Sequence, residues 1–137
     1  MASERLLREI AQVREKHPAA RHGERGEWVH IRDYPLPAGR YNRERTQLLF
    51  LVPVGYPNTG PDCFFVDSDL RLADGSMPPG FNAGGDSSSG PSPLPGSWGW
   101  FSWHPQGWRP GAEIEKGDNL LTFLRGANAC LRGEETV

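Results

Sequence analysis

Thr46-Gln47-Leu48-Leu49-Phe50-Leu51-Val52-Pro53-Val54-Gly55-Tyr56-Pro57-Asn58-Thr59-Gly60-Pro61 carries the clearest structural signal in the chain. Its first half is a continuous apolar run of strand length, which predicts a strand buried on both faces. Its second half is broken by Pro53, Pro57 and Pro61. Proline donates nothing to a sheet ladder, so this half predicts an irregular extended crossing.

Upstream, Trp28, Val29, Ile31 and Tyr34 read as a strand that stops at Pro35 and Pro37. A polar turn over 38–44, pivoting on Gly39 and Asn42, joins it to the apolar run. Two strands joined in this way predict an antiparallel hairpin or meander. Residues 18–26 are polar and read as a loop. Before them, Leu6, Leu7, Ile10 and Val13 recur at helical spacing, with Ser3 as the cap and Glu4 at the positive end of the helix dipole. His17-Pro18 ends that helix, because a residue before proline leaves the helical region.

Downstream, Cys63, Phe64, Phe65 and Val66 predict a third main strand closed by Asp67, and Asp74-Gly75 is a turn. Residues 75–97 are rich in Gly, Ser and Pro. They read as a long flexible loop, either a mobile flap over a site or an inert insertion. Ser97 to Gly111 then holds four of the five tryptophans. Asp118 is placed to cap a second helix carrying Leu120, Leu121, Phe123, Leu124, Ala127, Cys130 and Leu131. Gly126 inside that helix implies a close contact, since glycine there costs up to about 1 kcal/mol relative to alanine.

The order is that of an α+β chain. Its 137 residues suit one domain, expected over 1–132 with a frayed tail at 133–137. A formal charge of −2 and interleaved basic residues leave no electrostatic footprint for nucleic acid. The N-terminus lacks an apolar signal region, and the apolar run over 48–54 is too short to span a membrane. A cytoplasmic protein with no membrane partner is expected. Cys63 and Cys130 fall in different predicted elements, so a reducing compartment and no disulfide are expected. Nothing shows metal-ligand spacing, and no cofactor is implied.

Three blocks carry a resemblance. Leu49 to Pro57 resembles the third strand and Tyr-Pro turn of the ubiquitin-conjugating enzyme fold, and residues 61–67 resemble the strand after it. Trp108-Arg109-Pro110-Gly111 resembles the Trp-Ser-Pro element that follows the catalytic loop. More narrowly, the Gly-Tyr-Pro…Pro-Asp-x-Phe block and the Trp98-Gly99-Trp100-Phe101-Ser102-Trp103-His104…Trp108-Arg109-Pro110-Gly111 block are similar to the bacterial ubiquitin-conjugating-enzyme-like family E. The resemblance covers roughly residues 20–132. It implies an antiparallel meander flanked by N-terminal and C-terminal helices. It also implies a carrier working beside a ubiquitin-like protein and an adenylating activating enzyme, in operons tied to conjugation and phage defence. A deconjugating protease in the same operon is a further implied partner.

The chain departs from that pattern. Conventional members carry a His-Pro-Asn motif before a nucleophilic cysteine, whereas His104-Pro105-Gln106 sits at or after the expected nucleophile and reads as coincidence, and no cysteine occupies the catalytic loop. Ser102 is the only hydroxyl or thiol between Trp100 and His104. Acyl transfer needs a nucleophile, a proton acceptor and oxyanion donors. Ser102 as nucleophile and His104 as its base fit if the stretch is extended, since residues two apart share a face. The bland alternative is a turn serine beside a packed histidine. Cys63 is an alternative nucleophile, though a strand thiol between Asp62 and two phenylalanines reads first as inert packing. Trp100, Trp103, Trp108 and Asp62 would shape the site. Asp62 and Asp67 otherwise read as solvated strand-end acids, and His17, His22 and His30 as surface or loop residues. Two other functions remain open. One is a catalytically inactive domain that binds a ubiquitin-like protein or its activating enzyme. The other is an aromatic groove of Trp98, Trp100 and Trp103 for a saccharide or peptide.

Overall fold

The computed structural model describes residues 3–134. Helix α1 (Glu4–Lys16) is followed by strands β1 (Arg21–His22), β2 (Trp28–Pro35), β3 (Arg45–Leu51), β4 (Phe64–Asp67), β5 (Phe81–Asn82) and β6 (Trp98–Phe101), then helix α2 (Leu120–Leu131). The strands form one antiparallel sheet in the order β1-β2-β3-β4-β6-β5. The chain is α+β, as its pattern implies. The polar segment 18–26 contributes the short edge strand β1, where a loop is expected. The segment 75–97 contributes β5.

Strand alternation sorts the side chains onto two faces. Val29, Ile31, Leu48, Phe50, Phe64, Val66 and Phe101 turn to the helices and make the main core with Leu6, Ile10 and Val13 of α1 and Leu120, Phe123, Leu124, Ala127 and Leu131 of α2. Phe50 meets Phe123 at 4.8 Å between ring centres. Leu7, in the expected apolar stripe, is instead 46% exposed. The other face carries His30, Leu49, Phe65, Trp98 and Trp100. Leu49 and Phe65 are buried there too, so the apolar run of β3 is covered on both faces as expected. The segment 84–97 is tied over this second face. Trp98 Nε1 donates to Leu94 O at 3.0 Å, Trp100 Nε1 to Gly84 O at 3.2 Å, and Ser89 Oγ to Asp62 O at 2.9 Å.

His30 corrects the surface reading. It is buried in β2, and its Nε2 lies 2.8 Å from Gln47 Oε1. Arg21 Nη2 lies 3.1 Å from His30 Nδ1. Arginine only donates, so Nδ1 must accept and Nε2 carries the proton. Burial, with Arg21 and Arg32 nearby, holds this imidazole below its usual range despite the bond to Gln47. Asp67 corrects another reading. It accepts from Thr46 Oγ1, Gln47 N, Gln47 Nε2 and Arg43 Nη1, and so ties β3 to β4 rather than facing solvent.

The helix ends show why the segments stop where they do. Ser3 Oγ accepts from Leu6 N at 3.1 Å, as a cap should. In α2 the cap is Asn119 rather than Asp118. Asn119 Oδ1 accepts from Thr122 N, and Thr122 Oγ1 accepts from Asn119 N, a reciprocal capping box. Asp118 instead accepts from Arg109 N at 2.7 Å and closes the turn before the helix. The expected fraying of the tail falls mainly on residues 135–137, outside the described residues.

One buried carboxylate joins these parts. Glu9 is fully buried on α1. Its Oε1 accepts from Tyr56 Oη and from Leu120 N, and its Oε2 accepts from Arg5 Nε at 2.8 Å. Arg5 Nη1 in turn donates to Gly111 O at 2.5 Å. α1, the Tyr-Pro turn and the start of α2 therefore meet on one side chain. Tyr56→Phe removes one donor and leaves its partner oxygen buried. The expected cost is about 1–3 kcal/mol, read as a lower urea midpoint at unchanged slope.

All three tyrosines are raised above the usual phenol range, with burial as the largest cause. Tyr34 is pushed up to about 12. Its hydroxyl donates to Asn128 Oδ1 at 3.1 Å, linking β2 to α2. The unfolded phenol ionises near pH 10 while the folded one stays neutral. This stabilisation is whole below about pH 10 and is lost as pH rises toward 12, at about 3 kcal/mol for Tyr34. Urea unfolding between pH 9 and 12 should show that loss, and Tyr34→Phe should flatten the profile.

Candidate functional site

Strand β6 decides where the tryptophan-rich stretch points. Its last residue, Phe101, stacks on Phe64 at 5.1 Å in the core. Ser102 follows, with its backbone N–H donating to Gly80 O at 2.8 Å. Its side chain is exposed, and its hydroxyl has no hydrogen-bond partner among the described residues. Trp103 turns back into the core, 4% exposed, against Phe64 and Phe123. His104 returns to solvent. The alternation expected of an extended stretch therefore holds through 101–104.

The buried indole of Trp103 separates two hollows. Ser102 lines a cavity of about 270 Å³ together with Arg40, Tyr41, Gly80 and Cys130. His104 lines an open groove of about 350 Å³ with Gly60, Asp62, Pro105 and Trp108. His104 Nδ1 lies 3.9 Å from Asp62 Oδ1, and both side chains are about half exposed. The structure thus brings His104 to Asp62. It does not join His104 to Ser102 by a hydrogen bond among the described residues.

The groove wall is rigid for a steric reason. The Trp108 indole lies on Gly60, where a Cβ would come within 2.4 Å of the ring. Its Nε1 donates to Pro57 O at 2.7 Å, and its ring sits 6.1 Å from Tyr56. Trp108 thus packs on the crossing segment at Gly60, Pro57 and Tyr56. The helix contact at Gly126 is made by Trp103, whose ring would sit 2.7 Å from a Cβ there.

Cys63 is placed otherwise than expected. It precedes β4 and adopts φ 52°, the only positive value outside glycine among the described residues. Non-glycine residues seldom occupy this region. Its N–H donates to Trp103 O at 2.7 Å, which locks the crossing to the loop after β6. The thiol is buried and lies 3.6 Å from Ser89 Oγ, beneath the 84–97 segment. Cys63 and Cys130 are not joined by a disulfide.

Trp98 and Trp100 lie on the outer face of the sheet and Trp103 on the core side, so the three do not form one aromatic platform. Among the described residues no cluster of three or more His, Cys, Asp or Glu side chains is placed to hold a metal ion. Among the described residues, no helix is long and apolar enough to cross a membrane. Sequence reasoning missed Arg40, which read as part of a polar turn, and took Cys130 for packing alone. Both reach the Ser102 cavity only through the fold.

The family model for prokaryotic E2 family E matches residues 14–133. The chain belongs to that family. No curated protein matches it, and no solved structure does. Membership implies, in general terms, an E2-like carrier role and dealings with a ubiquitin-like modifier and its activating enzyme. The six-stranded antiparallel sheet with two helices is consistent with the family E assignment.

Trp103 is the part of this site most sensitive to crowding. Gly126→Ala gains helix propensity yet drives a methyl into the indole. Overpacking should outweigh propensity, for a net loss of about 1–2 kcal/mol in chemical denaturation. The indole fluorescence of the folded protein should shift as Trp103 is displaced.

Proposed function

We propose that this family E protein accepts the C-terminal acyl group of a ubiquitin-like modifier from an adenylating activating enzyme on Ser102, and transfers it onward from an oxyester. One observation carries the choice of residue: the Ser102 hydroxyl is exposed and without an internal hydrogen bond at the end of a strand whose next residue is locked in the core. The catalytic loop is thus rigid around the one hydroxyl it presents. In the transfer, Ser102 Oγ bonds to the carbonyl carbon of the activated acyl group. The bond to the donor's leaving group breaks and takes its electron pair with it. The Oγ proton passes to His104, which Asp62 orients from the adjoining groove. Both side chains are exposed two residues apart on an extended stretch, and the proton reaches the imidazole directly or through one water. The fold type, a cytoplasmic setting and a bacterial pathway linked to phage defence, with a deconjugating protease beside it, belong to the same reading.

A second reading has its own support. Ser102 and His104 line separate hollows. A domain that binds the modifier or its activating enzyme without forming an adduct fits that separation.

The deciding experiment combines the protein with an adenylating activating enzyme and a ubiquitin-like modifier from the same organism, and ATP. Products are run on gels without reductant, with reductant and after mild hydroxide. The oxyester reading expects an adduct that survives thiols, is cleaved by hydroxide and is absent in Ser102→Ala. His104→Gln should slow its formation about 100-fold, in the range of a lost general base. A thiol-labile adduct lost in Cys63→Ser or Cys130→Ser would move the acyl group to sulfur. Modifier binding without any adduct would establish the second reading.

A further inference from the structure

The cavity beneath Ser102 holds a cation that the transfer chemistry leaves unused. Arg40 is half-buried in the turn between β2 and β3. Its Nε donates to Leu131 O at 3.0 Å, and Tyr41 Oη donates to the same carbonyl at 2.7 Å. That oxygen ends α2, so two donors cover the negative end of the helix on this side. The guanidinium lies flat on Gly133, where a Cβ would come within 2.6 Å of Nη2, and this contact fixes its plane. The guanidinium carbon also lies 5.6 Å from the centre of the Tyr41 ring, and no carboxylate among the described residues pairs with Nη1 or Nη2. Among the described residues none that lines the cavity is acidic, and Phe101 and Trp103 form its apolar floor. A partly desolvated guanidinium has to find an anion or lose much of its solvation uncompensated. Its planar fork matches the two oxygens of a carboxylate.

The geometry points to a carboxylate-binding site in this cavity, with Arg40 holding the terminal carboxyl group of an extended chain, Ser102 Oγ beside it and the Trp103 floor beneath the last residue. A volume of about 270 Å³ matches roughly nine waters, enough for one terminal residue and its peptide bond. Assigning that chain to the modifier rests on the reading of Ser102 as acyl acceptor. On that reading Arg40 is a positioning residue. In the transfer the second carboxyl oxygen has been replaced by the donor's leaving group, so Arg40 contacts the remaining carbonyl oxygen, places it over Ser102 and faces the oxyanion it becomes when Oγ adds.

The test uses the full chain and N-acetylglycine as the probe, followed by nuclear magnetic resonance at the Trp103 indole and the Ser102 amide. Saturable shifts at both are expected, with no response to N-acetylglycinamide. Arg40→Gln should weaken binding at least tenfold, and Arg40→Lys, which keeps the charge but loses the fork, about three- to tenfold. Thermal melts of both Arg40 variants show whether the end of α2 is intact, and the lysine variant carries the test if the glutamine variant melts early. No shift with N-acetylglycine overturns the site, and so does binding that survives Arg40→Gln. Inorganic phosphate bound as well as N-acetylglycine overturns the assignment to a peptide terminus in favour of a site for a small anion. The two readings fail separately. Carboxylate binding without any adduct removes the oxyester and keeps the site. A Ser102-dependent adduct formed at full rate by Arg40→Lys and Arg40→Gln alike removes the positioning role and keeps the oxyester.

Discussion

A single buried carboxylate sets the geometry on which the rest depends. Glu9 accepts from a helix N-terminus, a tyrosine hydroxyl and an arginine at once. Each donor belongs to a different part of the chain. A carboxylate with no solvent exposure persists only when its lone pairs are filled, so the three parts are held together or not at all. The result is a fixed distance between α1, the Tyr56 turn and the start of α2. The loop carrying Trp108 is strung between the last two, and Arg5 grips it again at Gly111.

Within that frame Trp103 does for the candidate site what Glu9 does for the fold. Its indole fills the space that Gly126 leaves on α2, and its carbonyl holds Cys63 in a left-handed conformation. The chain on either side of it is forced outward. Ser102 emerges toward the end of α2 and Arg40, and His104 toward Asp62 and Trp108. One side chain thereby divides the loop between a cationic hollow and a groove bearing a carboxylate and an imidazole.

The elements with strong local signals were legible. The period of α1 and α2, the apolar run of β3 and the prolines of the crossing act through nearest neighbours, and the structure places them as the pattern implies. The misses share a cause. His30 looked exposed because alternation in β2 leaves its face undetermined until the 84–97 segment lies over the sheet. Asp67 looked solvated because its donors come from Thr46, Gln47 and Arg43, some twenty residues away. Asp118 looked like the cap because Asn119 and Asp118 are equally good cap residues, and they are separated by the reciprocal bonds of Asn119 with Thr122 and by the bond from Arg109 N to Asp118.

By itself, the sequence determined the α+β class, both long helices, the central hairpin and, through its two motif blocks, the family. It also singled out Ser102 and His104 as the polar residues of the loop. Only the tertiary structure decided their surroundings: Arg40 and Cys130 beside the serine, Asp62 beside the histidine, and the buried indole between them. The reason is physical. Helix period and strand burial are set by interactions a few residues apart, whereas a cavity is formed by the walls of elements about ninety residues apart, and no local pattern records which walls will meet.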